Sequence, residues 1–289
     1  MISRRRFLAM PAALALGAED RIGILCQLGA SAEGARKVLD AARSAGYRRV
    51  MVNFPWTGVD EAFLKALPGW LRDAGLECEA LGAYVNCVAP GTVLMGTRAE
   101  DFARAIRYAQ ELGCRRLVAW TGSHHADLMK ADSRNNTPES EEAILRFLHP
   151  HIAALESGKL TLALETYITL ACPDAPSLAR LLKRLPKCVG AVMDPPNLTP
   201  IARYAQRDAV LEEMFQQLKG RIAVVHLKDF RLAAGGQSYQ LPGPLAGEMN
   251  YPLYARLLKK LPAGIPIAAE HLKPEEFQAA REKLLPLFR

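Results

Sequence analysis

From residue 21 onward, short apolar runs alternate with longer stretches whose apolar residues recur every three or four positions. Period two marks strands and period 3.6 marks amphipathic helices. The pattern predicts strands over residues 21–28, 48–54, 78–85, 115–120, 160–165, 190–194, 221–227 and 265–270. Between and after them it predicts helices over 32–45, 60–74, 98–112, 139–156, 177–185, 209–218, 252–261 and 274–285. Gly46, Gly75, Gly113 and Gly158 stand where four of these helices end, a position that favours glycine because the chain leaves through a left-handed residue. Alternating strand–helix pairs build parallel sheets, and eight of them predict closure into a (β/α)₈ TIM barrel. An open doubly wound sheet is the alternative, but no GxGxxG follows the first strand to favour a dinucleotide site.

The strands also predict which side chains face inward. In residues 160–165, Leu160, Leu162 and Leu164 share one face while Thr161, Ala163 and Glu165 share the other. Leucines suit contact with surrounding helices, and small or polar residues suit a crowded barrel interior.

Composition adds little to this and removes some options. Half of the 289 residues are hydrophobic and 23% are charged, which fits one large core. The net charge of +7 falls to +4 once Arg4, Arg5 and Arg6 are set aside, and no basic block with interleaved aromatics remains. A nucleic-acid partner is therefore excluded. The segment Ser3-Arg4-Arg5-Arg6-Phe7-Leu8 resembles a twin-arginine export signal, and the apolar run that follows ends near Ala18, short of the roughly twenty residues a membrane helix needs. Residues 1–18 are expected to be a cleaved signal read by the twin-arginine export machinery, delivering a single catalytic barrel of residues 19–289 to the periplasm; without a working signal the protein stays cytoplasmic. The six cysteines show neither CxxC nor zinc-ligand spacing, so buried reduced thiols are expected.

Active sites of such barrels lie at the C-terminal ends of the strands. Four of those ends carry strong metal ligands: Glu165, Asp194, His226 and Glu270. Glu165 is in step with Ala163, Glu270 with Ala268, and His226 with Ile222 and Val224, so each points toward the mouth. Three carboxylates gathered in one cavity call for a cation, because an unpaired buried carboxylate is costly. Three oxygen donors and one imidazole suit one divalent ion, Mn²⁺ first, with Mg²⁺, Co²⁺ or Zn²⁺ as alternatives.

The segments Leu-Ala-Leu-Glu165, Val-Met-Asp194-Pro-Pro-Asn197, Val-Val-His226-Leu-Lys228-Asp229 and Ile-Ala-Ala-Glu270 occur in the order in which they resemble the xylose-isomerase-like superfamily of sugar (phosphate) isomerases and epimerases. The resemblance implies that the four residues hold one divalent metal and that Glu165 and Glu270 exchange protons with opposite faces of a bound sugar. It implies a small sugar or sugar-derived substrate whose proton beside a carbonyl is moved through a metal-stabilised enediolate. Met51 stands where that family often has a second-strand glutamate, Gly82-Ala83-Tyr84 and Asn86 where it commonly has a third-strand histidine, and Asn197 where epimerases often have a histidine. The histidine pattern of the related abasic-site endonucleases is absent.

Lys228 and Asn197 are expected to touch substrate, as are Trp56 by stacking on a sugar ring and His124 from the loop after the fourth strand. Asp229 is expected to orient a metal ligand. Tyr84 lies near a strand end as a second stacking candidate, Glu248 belongs to a glycine-rich loop over the site, and His149 and His151 belong to a helix. The alternatives are a metal-dependent dehydratase or lyase of a polyol ketone and a non-catalytic carbohydrate-binding barrel. A homo-oligomer is compatible with the exposed barrel surface.

Overall fold

The computed structural model describes residues 21–289, so the expected signal segment lies outside the described residues. The elements are β1 (Ile22–Gln27), α1 (Ala32–Ser44), β2 (Arg49–Asn53), α2 (Glu61–Asp73), β3 (Glu77–Asn86), α3 (Ala99–Glu111), β4 (Arg116–Trp120), α4 (Pro138–Leu148), α5 (Ile152–Ser157), β5 (Thr161–Glu165), α6 (Ala175–Lys183), β6 (Val189–Met193), α7 (Pro195–Leu198), α8 (Arg207–Gln217), β7 (Ile222–Leu227), β8 (Arg231–Leu232), β9 (Tyr239–Gln240), α9 (Tyr251–Leu258), β10 (Ile267–Ala269) and α10 (Phe277–Phe288). Strands β1 to β7 pair in sequence order, and β10 lies between β7 and β1 to close the barrel. The short antiparallel pair β8–β9 forms a separate two-stranded sheet.

Closure rules out the open sheet. The helices start on side-chain caps, including Ser31, Asp60, Thr137, Asp174 and Asn250, each accepting a backbone N–H of the first turn. Gly46, Gly75 and Gly113 take the left-handed conformation expected of them, whereas after α5 it is Lys159, with φ 53°, that does so. The single helix predicted over 139–156 is split by a 3₁₀ turn at His149–His151, because Pro150 has no N–H to continue the ladder.

The leucines of 160–164 pack outward into the main hydrophobic core with the helices. Inside the barrel, Met51, Ala80, Val118, Ala163, Val192, Val224 and Ala268 form a separate apolar cluster. One detail departs from simple alternation. The β6–β7 register slips after Ala191, so Ile222 joins the outer core while Val224 faces inward. This bulge corrects the assignment of Ile222 to the face of His226 and leaves His226 itself pointing in.

The candidate metal centre

Glu165, Asp194, His226 and Glu270 are all buried, and one ligand atom from each lies within 4.8 Å of the others. The Nδ1 atom of His226 is 3.3 Å from Glu270 Oε2, 3.6 Å from Glu165 Oε1 and 3.7 Å from Asp194 Oδ2. Tyr254, on α9, donates its hydroxyl to the carbonyls of His226 (3.1 Å) and Met193 (3.2 Å), which fixes the ends of β7 and β6 together. Tyr251 does the same for the Lys228 carbonyl at 2.9 Å.

The two glutamates are held differently. Both oxygens of Glu165 accept neutral donors: Oε2 from the Tyr84 hydroxyl at 3.0 Å and Oε1 from the Asn197 amide at 2.9 Å. Burial, then the charges of Glu165 and Glu270, push the Tyr84 hydroxyl well above its ordinary pKa, so it stays a donor. Glu270 instead meets the Lys228 ammonium, which lies 2.8 Å from its Oε1 and 2.7 Å from Asp194 Oδ2. Burial alone would lower the Lys228 pKa, but Asp194, Glu270 and Glu165 outweigh it and keep the ammonium charged. Burial likewise opposes ionisation of Glu270, yet His226, Lys228 and His271 bring its pKa down to about 2. At His226 burial is again outweighed by the carboxylates, led by Glu270 and Glu165, which raise its pKa well above the usual imidazole value.

Even so, the centre is not satisfied from within. Both carboxylate oxygens of Asp194, Nδ1 of His226 and Oε1 of Glu270 are buried with no aligned hydrogen bond among the described residues. Buried polar atoms are normally paired, and leaving one unmade costs about 1–3 kcal/mol. Three carboxylates against one ammonium also leave a formal charge of −2, which a divalent ion bound through neutral His226 would balance. The residues therefore fit a divalent metal.

Lys228 and Asn197 both line the cavity beside this centre. Trp56 does not. It is buried in the outer core between Phe54 and Tyr108 and donates its indole N–H to the Gly82 carbonyl at 2.8 Å. It sits on a 3₁₀ turn after β2, outside the strand whose alternation would direct it inward. His124 is also turned away. Its backbone N–H is held by Asn135 Oδ1 and its Nε2 lies 3.0 Å from Ser140 Oγ, so it fastens the β4–α4 loop to α4. Asp229 contacts no ligand, because its Oδ1 accepts the N–H groups of Phe230 and Met249 and ties down the loop after β7. His151 packs edge-on against Phe102, in keeping with a helical, structural place. Glu248 accepts the Tyr204 hydroxyl at 2.8 Å away from the cavity.

No sequence pattern points to Tyr167, and the sequence suggests Tyr84 only as a stacking ring. Both line the cavity, whose volume is about 900 Å³. All six cysteines are free thiols. No helix among the described residues is long and apolar enough to cross a membrane.

The fold and this cluster define a closed barrel with a candidate metal centre at its mouth. Residues 39–286 match the Xylose isomerase-like TIM barrel family, and the chain belongs to that family. Among solved structures, it is similar to a Xylose isomerase-like TIM barrel protein from Mycobacterium smegmatis in complex with magnesium (15% identity, 90% of this chain and 89% of that one, TM-score 0.64). It is also similar to the probable 3-DHS dehydratase involved in petrobactin synthesis from Bacillus anthracis (14% identity, 90% and 98% covered, TM-score 0.64). An L-ribulose 3-epimerase is a further neighbour (15% identity, 93% and 90% covered, TM-score 0.63). No curated protein matches the chain.

Proposed function

We propose that this protein is a divalent-metal-dependent isomerase or epimerase of a sugar or sugar-derived ketone. The observation that carries the reading is the pair of buried glutamates, Glu165 and Glu270, each lining the cavity and each part of the unsatisfied four-ligand cluster. A site meant only to bind a sugar has no need of two acid–base groups there. Similarity to an L-ribulose 3-epimerase supports the same class.

Glu165, Asp194, His226 and Glu270 would hold the ion. A bound divalent ion would supply Lewis-acid stabilisation of the negative charge that develops when a proton leaves the carbon beside a carbonyl. Glu165, oriented by Tyr84 and Asn197, would take or return that proton on one face, and Glu270 on the other. One face serving both steps gives an isomerase, and two faces give an epimerase. Lys228, charged and facing the cavity, offers a hydrogen bond to a substrate oxygen.

A second reading, a dehydratase, is favoured by the likeness to the probable dehydratase and by the same ammonium. After the same proton removal, Lys228 could protonate a β-hydroxyl leaving as water. The deciding experiment incubates Mn²⁺-loaded protein with ketoses, aldoses and polyol ketones in D₂O. Deuterium beside the carbonyl, lost in Glu165→Gln and Glu270→Gln, is the expected result. Loss of water from the product moves the assignment to the dehydratase, and no exchange on any of them removes both. We also propose export of the folded protein through the twin-arginine route, tested by fusing residues 1–30 to a reporter and asking whether Arg4→Lys with Arg5→Lys retains it in the cytoplasm.

A further inference from the structure

A second cleft of about 420 Å³ adjoins the main cavity, and Met129 and Tyr167 line both. Its walls come from the loop after β5, from the 3₁₀ turn Ile201–Gln206 and from the segment before β9. Ile168, Pro173, Pro200 and Ile201 make it apolar. The polar groups in these walls are largely committed. Thr169 donates its hydroxyl to the Leu128 carbonyl, and Asp174 caps α6 by accepting the Ser177 N–H at 2.9 Å. Among the described residues, Gln237, Ser238 and the Tyr167 hydroxyl remain as uncommitted polar groups there.

The rim between the two spaces is apolar as well. Met129 is 57% exposed and Met95, which also lines the main cavity, is 47% exposed. Flexible thioethers exposed at a cavity mouth suit an irregular apolar partner. Tyr167 is only 6% exposed, and its hydroxyl makes no hydrogen bond among the described residues. Ring and hydroxyl thus stand at the junction of the charged centre and the apolar cleft.

We propose that the substrate is a sugar carrying an apolar aryl or alkyl substituent, with the sugar over the metal centre and the substituent lying across Met129 and Tyr167 into the second cleft. The inference rests on the reading of the main site as a sugar site and names its substrate class. A second sugar ring is disfavoured as occupant, because most of its hydroxyls would be desolvated against Ile168, Pro173, Pro200 and Ile201, with few free hydrogen-bonding side chains to replace water. An apolar group gains from the same wall, and the unpaired Tyr167 hydroxyl is available to the oxygen that links the two parts.

The test compares binding of methyl and phenyl β-D-glucopyranoside to the Mn²⁺-loaded protein by calorimetry, without turnover. The phenyl glycoside is expected to bind about tenfold or more tightly. Met129 and Ala202 are both exposed, so Met129→Asp and Ala202→Trp should fold normally and erase that gain. Equal affinities, no binding of the phenyl glycoside, or a gain that survives in Ala202→Trp would overturn the proposal. A change of sedimentation in Met129→Asp with the phenyl preference intact would also overturn it, assigning the rim to a contact between copies of the chain. Because no chemistry is read, the preference can hold while the deuterium experiment fails, so the two conclusions fall separately.

Discussion

Two levels of the barrel interior, one turn of the strand pleat apart, are built on opposite terms. Below, Ala163, Val192, Val224 and Ala268 close the barrel with apolar side chains. Two residues further along the same strands stand Glu165, Asp194, His226 and Glu270. A rise of about 7 Å separates them. The lower level has small side chains and no charge to satisfy. The upper level holds three carboxylates, an imidazole and an ammonium, with four atoms left without hydrogen bonds. Stability is concentrated beneath and unmet bonding capacity above, so a ligand that completes the upper level acts on a frame that does not need it in order to fold.

The sharpest way to break this contrast is Lys228→Met. Removing the cation leaves the buried carboxylates uncompensated, and metal-free protein should lose about 3–5 kcal/mol in chemical denaturation. With Mn²⁺ present most of that loss should disappear; a loss equal in both states would count against a shared role for the ammonium and the ion in balancing the three carboxylates. Next in size, Mn²⁺ at a hundred times its dissociation constant should stabilise the native protein by about 2.7 kcal/mol, seen as a higher melting temperature. Asp194→Ala should abolish that response. Tyr84→Phe should cost about 1 kcal/mol and slow deuterium exchange roughly tenfold, through loss of the bond that orients Glu165. An unchanged exchange rate would reduce Tyr84 to packing.

The smallest single effect is that of acid pH. Because the Glu270 pKa is depressed from 4.5 to about 2, its stabilising contribution is complete above the unfolded value and is lost as pH falls through the folded one. Metal-free protein should therefore lose stability from about pH 4.5 toward about pH 2, and lose it again as pH rises above about 6.5, where the contribution from the raised pKa of buried His226 starts to fade. Glu270→Gln should flatten that acidic slope.

What could be read from the chain follows the rule of alternation. Where a strand is regular, parity alone places Glu165 with Ala163 and Glu270 with Ala268, and both positions hold in the structure. Where regularity ends, so does the inference. Trp56 sits on a turn and His124 in a long loop, and neither has a period to dictate its direction; both turn from the cavity. Asp229 directly follows Lys228, which faces the cavity, and its carboxylate instead binds the loop backbone. Tyr84 lies in β3 within a stretch whose register slips between Gly82 and Asn86, so its bond to Glu165 could not be foretold from spacing. Tyr167 is reached only through the loop after β5, and nothing local in its sequence distinguishes it.

The way the ring closes bears on what a bound ion would hold together. Every ligand of the candidate centre comes from the stretch between the ends of β5 and β10, and the strand before the last one, Glu270, is the three-residue β10 that pairs with β1 to complete the ring. The four donor strands are neighbours in the ring, in the order β10, β7, β6 and β5, so an ion held at the candidate centre would clasp one half of the barrel and leave the β1–β10 seam to its own strand pairing.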